Sequence, residues 1–164
     1  MKTKHWLPWA AALALVTALP GQAARAGEDH HPHDHGSAQA PKLQLNAGQK
    51  WATDAALRQT MDDIKQAMGT ALPLIHKGRF SQTDYAALAA TIRQKVGYAI
   101  AHCKLDAQAD AMLHLVIAEL LAGAQRMEAA QPASRHEGAV QVRRALVSYG
   151  TYFQHPGWRR AQVE

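Results

Sequence analysis

Four imidazoles, His30, His31, His33 and His35, fall within six positions and are flanked by Glu28, Asp29 and Asp34. Neutral imidazole is a ligand for Cu(II), Ni(II) and Zn(II), and a flexible segment can wrap the geometry any of these prefers. The same composition also serves as a plain solubilising tail, so it points to metal binding without naming the metal. A second set of ligand types is dispersed: His102 beside Cys103, His114 four residues after Asp110, His155 before Pro156-Gly157-Trp158, and Met61, Met68, Met112 and Met127. Thiolate, thioether and imidazole together select Cu(I) over hard cations. Each member has a structural alternative. Cys103 and the methionines stand at core spacing and can be packing filler. His114 and Asp110 share a helix face as an ordinary surface pair would, and His102 points about 100° from Cys103 on an ideal helix.

Catalytic constellations are not in view. The paired Glu-x-x-His pattern of di-iron bundles is missing, and Glu119 is the one Glu placed inside a helix face. Nothing in the chain builds the exposed cleft and activated thiolate of a Cys-His hydrolase. We therefore read the chain as a non-enzyme. Covalent haem needs a Cys-x-x-Cys-His run, which one cysteine cannot supply. A b-type haem needs an axial pair, for which Met61 with His102, His114 or His155 would serve.

The chain that positions these residues has 164 of them. Residues 1–26 read as a secretory signal peptide: Lys2 and Lys4, an apolar run from Leu7 to Leu19, then Ala24-Arg25-Ala26 with small residues before the cut. No cysteine near the cut offers a lipid anchor. Three of the 18 Lys and Arg lie in this leader and none of the 13 Asp and Glu, so the formal net charge of +5 becomes +2 after cleavage near Ala26. That balance, with no basic stripe interleaved with aromatics, argues against a nucleic-acid partner. Export to the periplasm with one cysteine excludes an internal disulfide framework. Stable membrane insertion after cleavage is not expected either.

Residues 27–42 read as a disordered His-rich tail with too few apolar side chains to pack, and 159–164 as a C-terminal tail. Between them, 43–158 is helical in pattern. Leu43 and Leu45 form a short extended lead-in, and Asn46-Ala47-Gly48 a turn. A first helix carries Leu57, Met61, Ile64, Met68, Leu72 and Ile75 on one face, with Thr53 as N-cap, Asp54 in the first turn and Pro73 kinking or ending it early. A second, capped by Ser81 with Asp84 in a capping box, presents Tyr85, Leu88, Ile92, Val96, Ala99 and Cys103. A third, capped by Asp106, carries Leu113, Ile117, Leu120, Ala124 and Met127, widened by Met112 and Val116, and is expected to be the most buried. Gln131–Glu137, with Pro132, Ser134 and Gly138 nearby, reads as a loop. A fourth helix uses Val142, Leu146, Tyr149 and Phe153, and stops at His155-Pro156-Gly157, with Trp158 covering the bundle end against Trp51. Four such helices on short links pack as an all-α, antiparallel up-down four-helix bundle.

Three stretches carry a resemblance: Gly48-Gln49-Lys50-Trp51-Ala52-Thr53-Asp54, Cys103-Lys104-Leu105 through Leu113-His114 to Gly123, and Tyr149-Gly150 to His155-Pro156-Gly157-Trp158. The chain is similar in these to an exported, largely uncharacterised proteobacterial bundle family. In architecture it resembles the cytochrome b562 and cytochrome c′ type without the c-haem motif. The resemblance implies fold and compartment and carries no activity.

Up-down topology brings Trp51, Met61, His102, Cys103, Asp106, Asp110 and His155 to one pole, where the His-rich tail also enters. The reading that follows is a periplasmic metal-binding protein, with copper the favoured ion, for buffering, storage or transfer. A non-catalytic scaffold for another envelope protein is the alternative, and a b-haem electron carrier the second. A homodimer through one helix pair is a further possibility for such a bundle.

Overall fold

The computed structural model describes residues 41–158; the leader, the imidazoles at 30, 31, 33 and 35, and residues 159–164 lie outside the described residues. Four α-helices follow in order: α1 (Ala55–His76), α2 (Gln82–His102), α3 (Ala107–Met127) and α4 (Pro132–Tyr152). They form the four-helix bundle the apolar periodicity predicts. α3 packs most extensively on α4, α1 packs on α2, and α2 on α3, whereas α1 and α4 meet sparsely.

Each helix buries the face its sequence announces. Leu57, Met61, Ile64, Met68 and Ile75 of α1 meet Tyr85, Leu88, Ile92 and Val96 of α2, Leu113, Ile117, Leu120 and Met127 of α3, and Val142, Leu146 and Tyr149 of α4 in one core. Burial of this kind supplies the dominant stabilisation, about 1.5–3 kcal/mol for each large aliphatic or aromatic side chain. α3 buries more positions than any other helix. Leu72 is half-buried, because it lies toward the loosely packed side between α1 and α4.

The helix ends follow from local chemistry, with three corrections to the sequence reading. Ser81 and Asp84 form the expected capping box, and Asp106 caps α3 through the N–H groups of Gln108 and Ala109. The N-cap of α1 is Asp54 and not Thr53: the Asp54 Oδ1 accepts from the Leu57 N–H at 2.7 Å, while the Thr53 hydroxyl donates to the Gln154 carbonyl. Pro73 does not end α1, which runs on to His76. The carbonyl that Pro73 leaves without a donor is that of Gly69, and both residues are exposed, so no unpaired carbonyl is buried. Gly78, at φ +63°, then closes the turn.

The largest correction is α4, which begins at Pro132 and not after Glu137. Pro132 sits in the first turn, where its missing N–H costs nothing and its fixed φ favours the helix. Gly138 is not loop punctuation. A Cβ there would stand 2.6 Å from the Gly123 carbonyl oxygen and 2.8 Å from the Met127 nitrogen, and one at Gly123 would stand 2.8 Å from the Gly138 carbonyl oxygen. The two glycines let the backbones of α3 and α4 touch. Glu119, placed inside a helix face by periodicity, is exposed and accepts from Gln141 Nε2 at 2.7 Å.

The lead-in makes the expected turn, with Asn46 and Gln49 paired through both backbone bonds at 2.8 Å. Beyond it, Trp51 pairs with the stretch that follows α4. The Trp51 N–H donates to the Tyr152 carbonyl and the Gln154 N–H to the Trp51 carbonyl, each at 2.8 Å, in a parallel bridge opposite Phe153. This clasp and the Asp54–Lys104 bond described below gather the start of α1, the α2–α3 link and the end of α4 at one pole.

Candidate functional site

The pole is organised by two polar systems, each anchored by a carboxylate near the start of α1. In the first, Asp54 serves two helix ends. Its Oδ1 caps α1 and its Oδ2 accepts from the Lys104 N–H at 2.6 Å, beyond the end of α2. The Cys103 thiol also donates to it. Partial burial works to raise the Asp54 pKa. The Leu57 and Lys104 N–H groups, the thiol and the nearby Arg58 outweigh burial, and the carboxyl is held below its ordinary range.

Cys103 is the C-cap of α2, half-buried with an extended backbone. Burial, then the charge of Asp54, the hydrogen bond to it and the charge of Asp110 push its thiol up to about 11. The group is a protonated donor at neutral pH, and a metal could use its sulfur as a thiolate only by displacing that proton.

The second system is a chain of three side chains. Tyr149 Oη lies 2.9 Å from His155 Nδ1, and His155 Nε2 lies 3.2 Å from Asp62 Oδ2. The imidazole is 4% exposed. Burial lowers its pKa, with Arg58 and Lys65 acting the same way and Asp62 opposing. The neutral ring then carries its proton on Nε2, donates it to Asp62, and accepts the Tyr149 hydroxyl at Nδ1. Burial, reinforced by the Asp62 charge, raises the Tyr149 phenol well above its usual value. The Trp158 ring packs edge-on to Tyr149 with centroids 4.9 Å apart and lies as near to His155. Gly150 makes this possible, since a Cβ there would fall 2.3 Å from Trp158 Nε1. Trp158 thus covers Tyr149, His155 and the Lys65 ammonium, 4.4 Å from its ring centroid. It does not pack on Trp51, which is buried beside the Phe153 bridge and donates from Nε1 to the Gln44 carbonyl.

The remaining candidates divide by exposure. Met61 is wholly buried in the core, as are Met68 and Met127, so their thioethers fill packing space. Met112 is half-buried beside Trp51 and Gln108, in a groove of about 330 Å³ under the lead-in. His102 and His114 are exposed. His102 Nδ1 bonds to the Tyr98 carbonyl at 2.9 Å with its ring stacked on Tyr98, and His114 Nδ1 bonds to the Asp110 carbonyl at 2.9 Å with the Asp110 carboxylate 3.4 Å away. Each ring therefore has its Nδ1 bonded to a carbonyl and its Nε2 without a partner among the described residues, the arrangement in which histidine binds metals. Among the described residues, no three His, Cys, Asp or Glu side chains are grouped closely enough to hold an ion. The topology thus brings the predicted residues to one pole and does not bring their ligand atoms together. None of the five principal grooves is lined by Met61 or by a histidine.

Two residues central to this pole, Asp62 and Tyr149, escape sequence reasoning, because Tyr149 reads as core and Asp62 as surface. The pairing of Asp62 with His155 spans most of the bundle sequence and leaves no local signal.

No family model, curated protein or solved structure matches the chain.

Proposed function

We propose that the protein is an exported, periplasmic metal-binding protein whose cargo is copper, held for buffering, storage or transfer by the histidines of its N-terminal segment. The observation that carries the reading is the clustering of His30, His31, His33 and His35 with three carboxylates in eight residues. The bundle supports it in a secondary way. His102 and His114 are exposed, each with Nδ1 bonded to a carbonyl and Nε2 without a partner among the described residues, so each is a further imidazole able to take an ion. Met61, Cys103 and His155 are committed elsewhere: to the core, to Asp54, and to Tyr149 with Asp62.

The test is copper titration of the mature chain against a chain lacking residues 28–35, each with and without the pair His102→Ala and His114→Ala. Deletion is expected to remove most of the affinity, the double substitution to weaken what remains, and Cys103→Ala to change neither. Copper uptake that survives deletion unaltered sinks the reading and leaves the scaffold alternative, and a Soret band in the purified protein would favour haem.

A further inference from the structure

The sparse meeting of α1 with α4 leaves an open groove of about 410 Å³, at the lower end of the range for small-molecule sites. Its floor is Met68, Leu72 and Leu146, and its wall includes the bare backbone of Gly69. Gly69 lies inside α1 at an ordinary helical φ, where glycine is a poor residue, and a Cβ on it would meet nothing within 4 Å. No protein atom stands where a side chain at position 69 would lie, so the groove is open along this face of α1.

The rim is cationic. Lys65 stands at the pole end under Trp158. The half-buried Arg143 makes no ion pair or side-chain hydrogen bond among the described residues. The rim carboxylate of Asp62 is turned to His155.

We propose that this groove binds a single-chain amphiphile with a carboxylate head, of the fatty-acid class. The head pairs with Arg143 and the Lys65 end of the rim, and the chain lies along Met68, Leu72 and Leu146. An apolar floor with one uncompensated positive charge suits a monoanion with an apolar body and disfavours a cation of the same shape.

The experiment is calorimetric titration of the mature protein with decanoate, below its micelle concentration, beside decan-1-ol and decylammonium. Saturable one-to-one binding of decanoate is expected, with decan-1-ol weaker and decylammonium weakest. Arg143→Gln should weaken decanoate about tenfold, the equivalent of one charge-assisted hydrogen bond, and leave decan-1-ol unchanged. Gly69→Leu should block both by filling the groove, with its fold checked by thermal melting, and Ala90→Leu on the exposed side of α2 should block neither. Should Gly69→Leu fail to fold, Arg143→Gln alone decides. Non-saturating uptake, or decanoate affinity indifferent to Arg143→Gln, would overturn the proposal.

Discussion

Asp54 and Lys104, fifty residues apart, are joined by a 2.6 Å bond from a backbone N–H to a carboxylate that already caps α1. One side chain therefore fixes where α1 begins and where α2 hands over to α3. Asp54→Ala removes the cap and strands the Lys104 N–H. The expected loss is about 1–2 kcal/mol, as for strong N-caps, read from urea unfolding. Because the folded pKa is lowered, this stability is full above the unfolded carboxyl value near 4 and is lost as pH falls through the folded value. Urea midpoints of Asp54→Asn should then vary less between pH 5 and pH 3 than those of the natural chain.

Burial first, and the same carboxylate second, keep the Cys103 thiol protonated. With its thiol pushed up to about 11, the thiolate fraction at pH 8 is roughly two orders of magnitude below that of a free cysteine. Alkylation by iodoacetamide should be slower by about that factor in the folded protein, and Asp54→Asn should accelerate it. A native rate equal to that of the unfolded chain would contradict the assignment.

His155 makes the bundle sensitive to mild acid. Its folded pKa is lowered, so the unfolded chain takes up the proton first, and stability falls as pH drops from above 6.5 through the folded value. Tyr149→Phe leaves the buried Nδ1 without its donor and should cost about 1–3 kcal/mol at neutral pH. Chemical unfolding at pH 7.5 and 5.5 checks both, and an equal pH response in His155→Asn would refute the first.

Glycines of opposite meaning give a paired test. Gly138→Ala drives a methyl into the backbone of α3 and should destabilise by about 1–3 kcal/mol through overpacking. Gly69→Ala meets open space and should stabilise by roughly 0.5–1 kcal/mol through helix propensity. Thermal melts of the two variants should move in opposite directions.

These contrasts show how far one chain of letters can be read. Burial of Leu57, Ile92, Leu120 and Val142 is legible because helix periodicity is a local property and apolar residues declare it. The capping box at Ser81 is legible for the same reason. Gly138 misleads because glycine as turn former and glycine as contact point look alike until a partner helix is in place. The pole is legible as a gathering of residue types, since short links imply up-down topology. Its bonding is not: whether Cys103 faces a metal or Asp54, and whether His155 faces solvent or Tyr149, depends on side-chain positions within a few ångströms.

The Trp51 clasp has a consequence for motion. A bundle of helices in series frays from its ends, since the first and last helices each have a free side. Here the backbone of Trp51 is held between Tyr152 and Gln154, about a hundred residues away, and the loosely packed α1 and α4 are latched together at one end. Neither helix can peel away at that end without opening the bridge that secures the other. Amide hydrogens at Trp51 and Gln154 should therefore exchange with solvent only in openings that release both helices, and the two edges of the bundle behave as one cooperative unit.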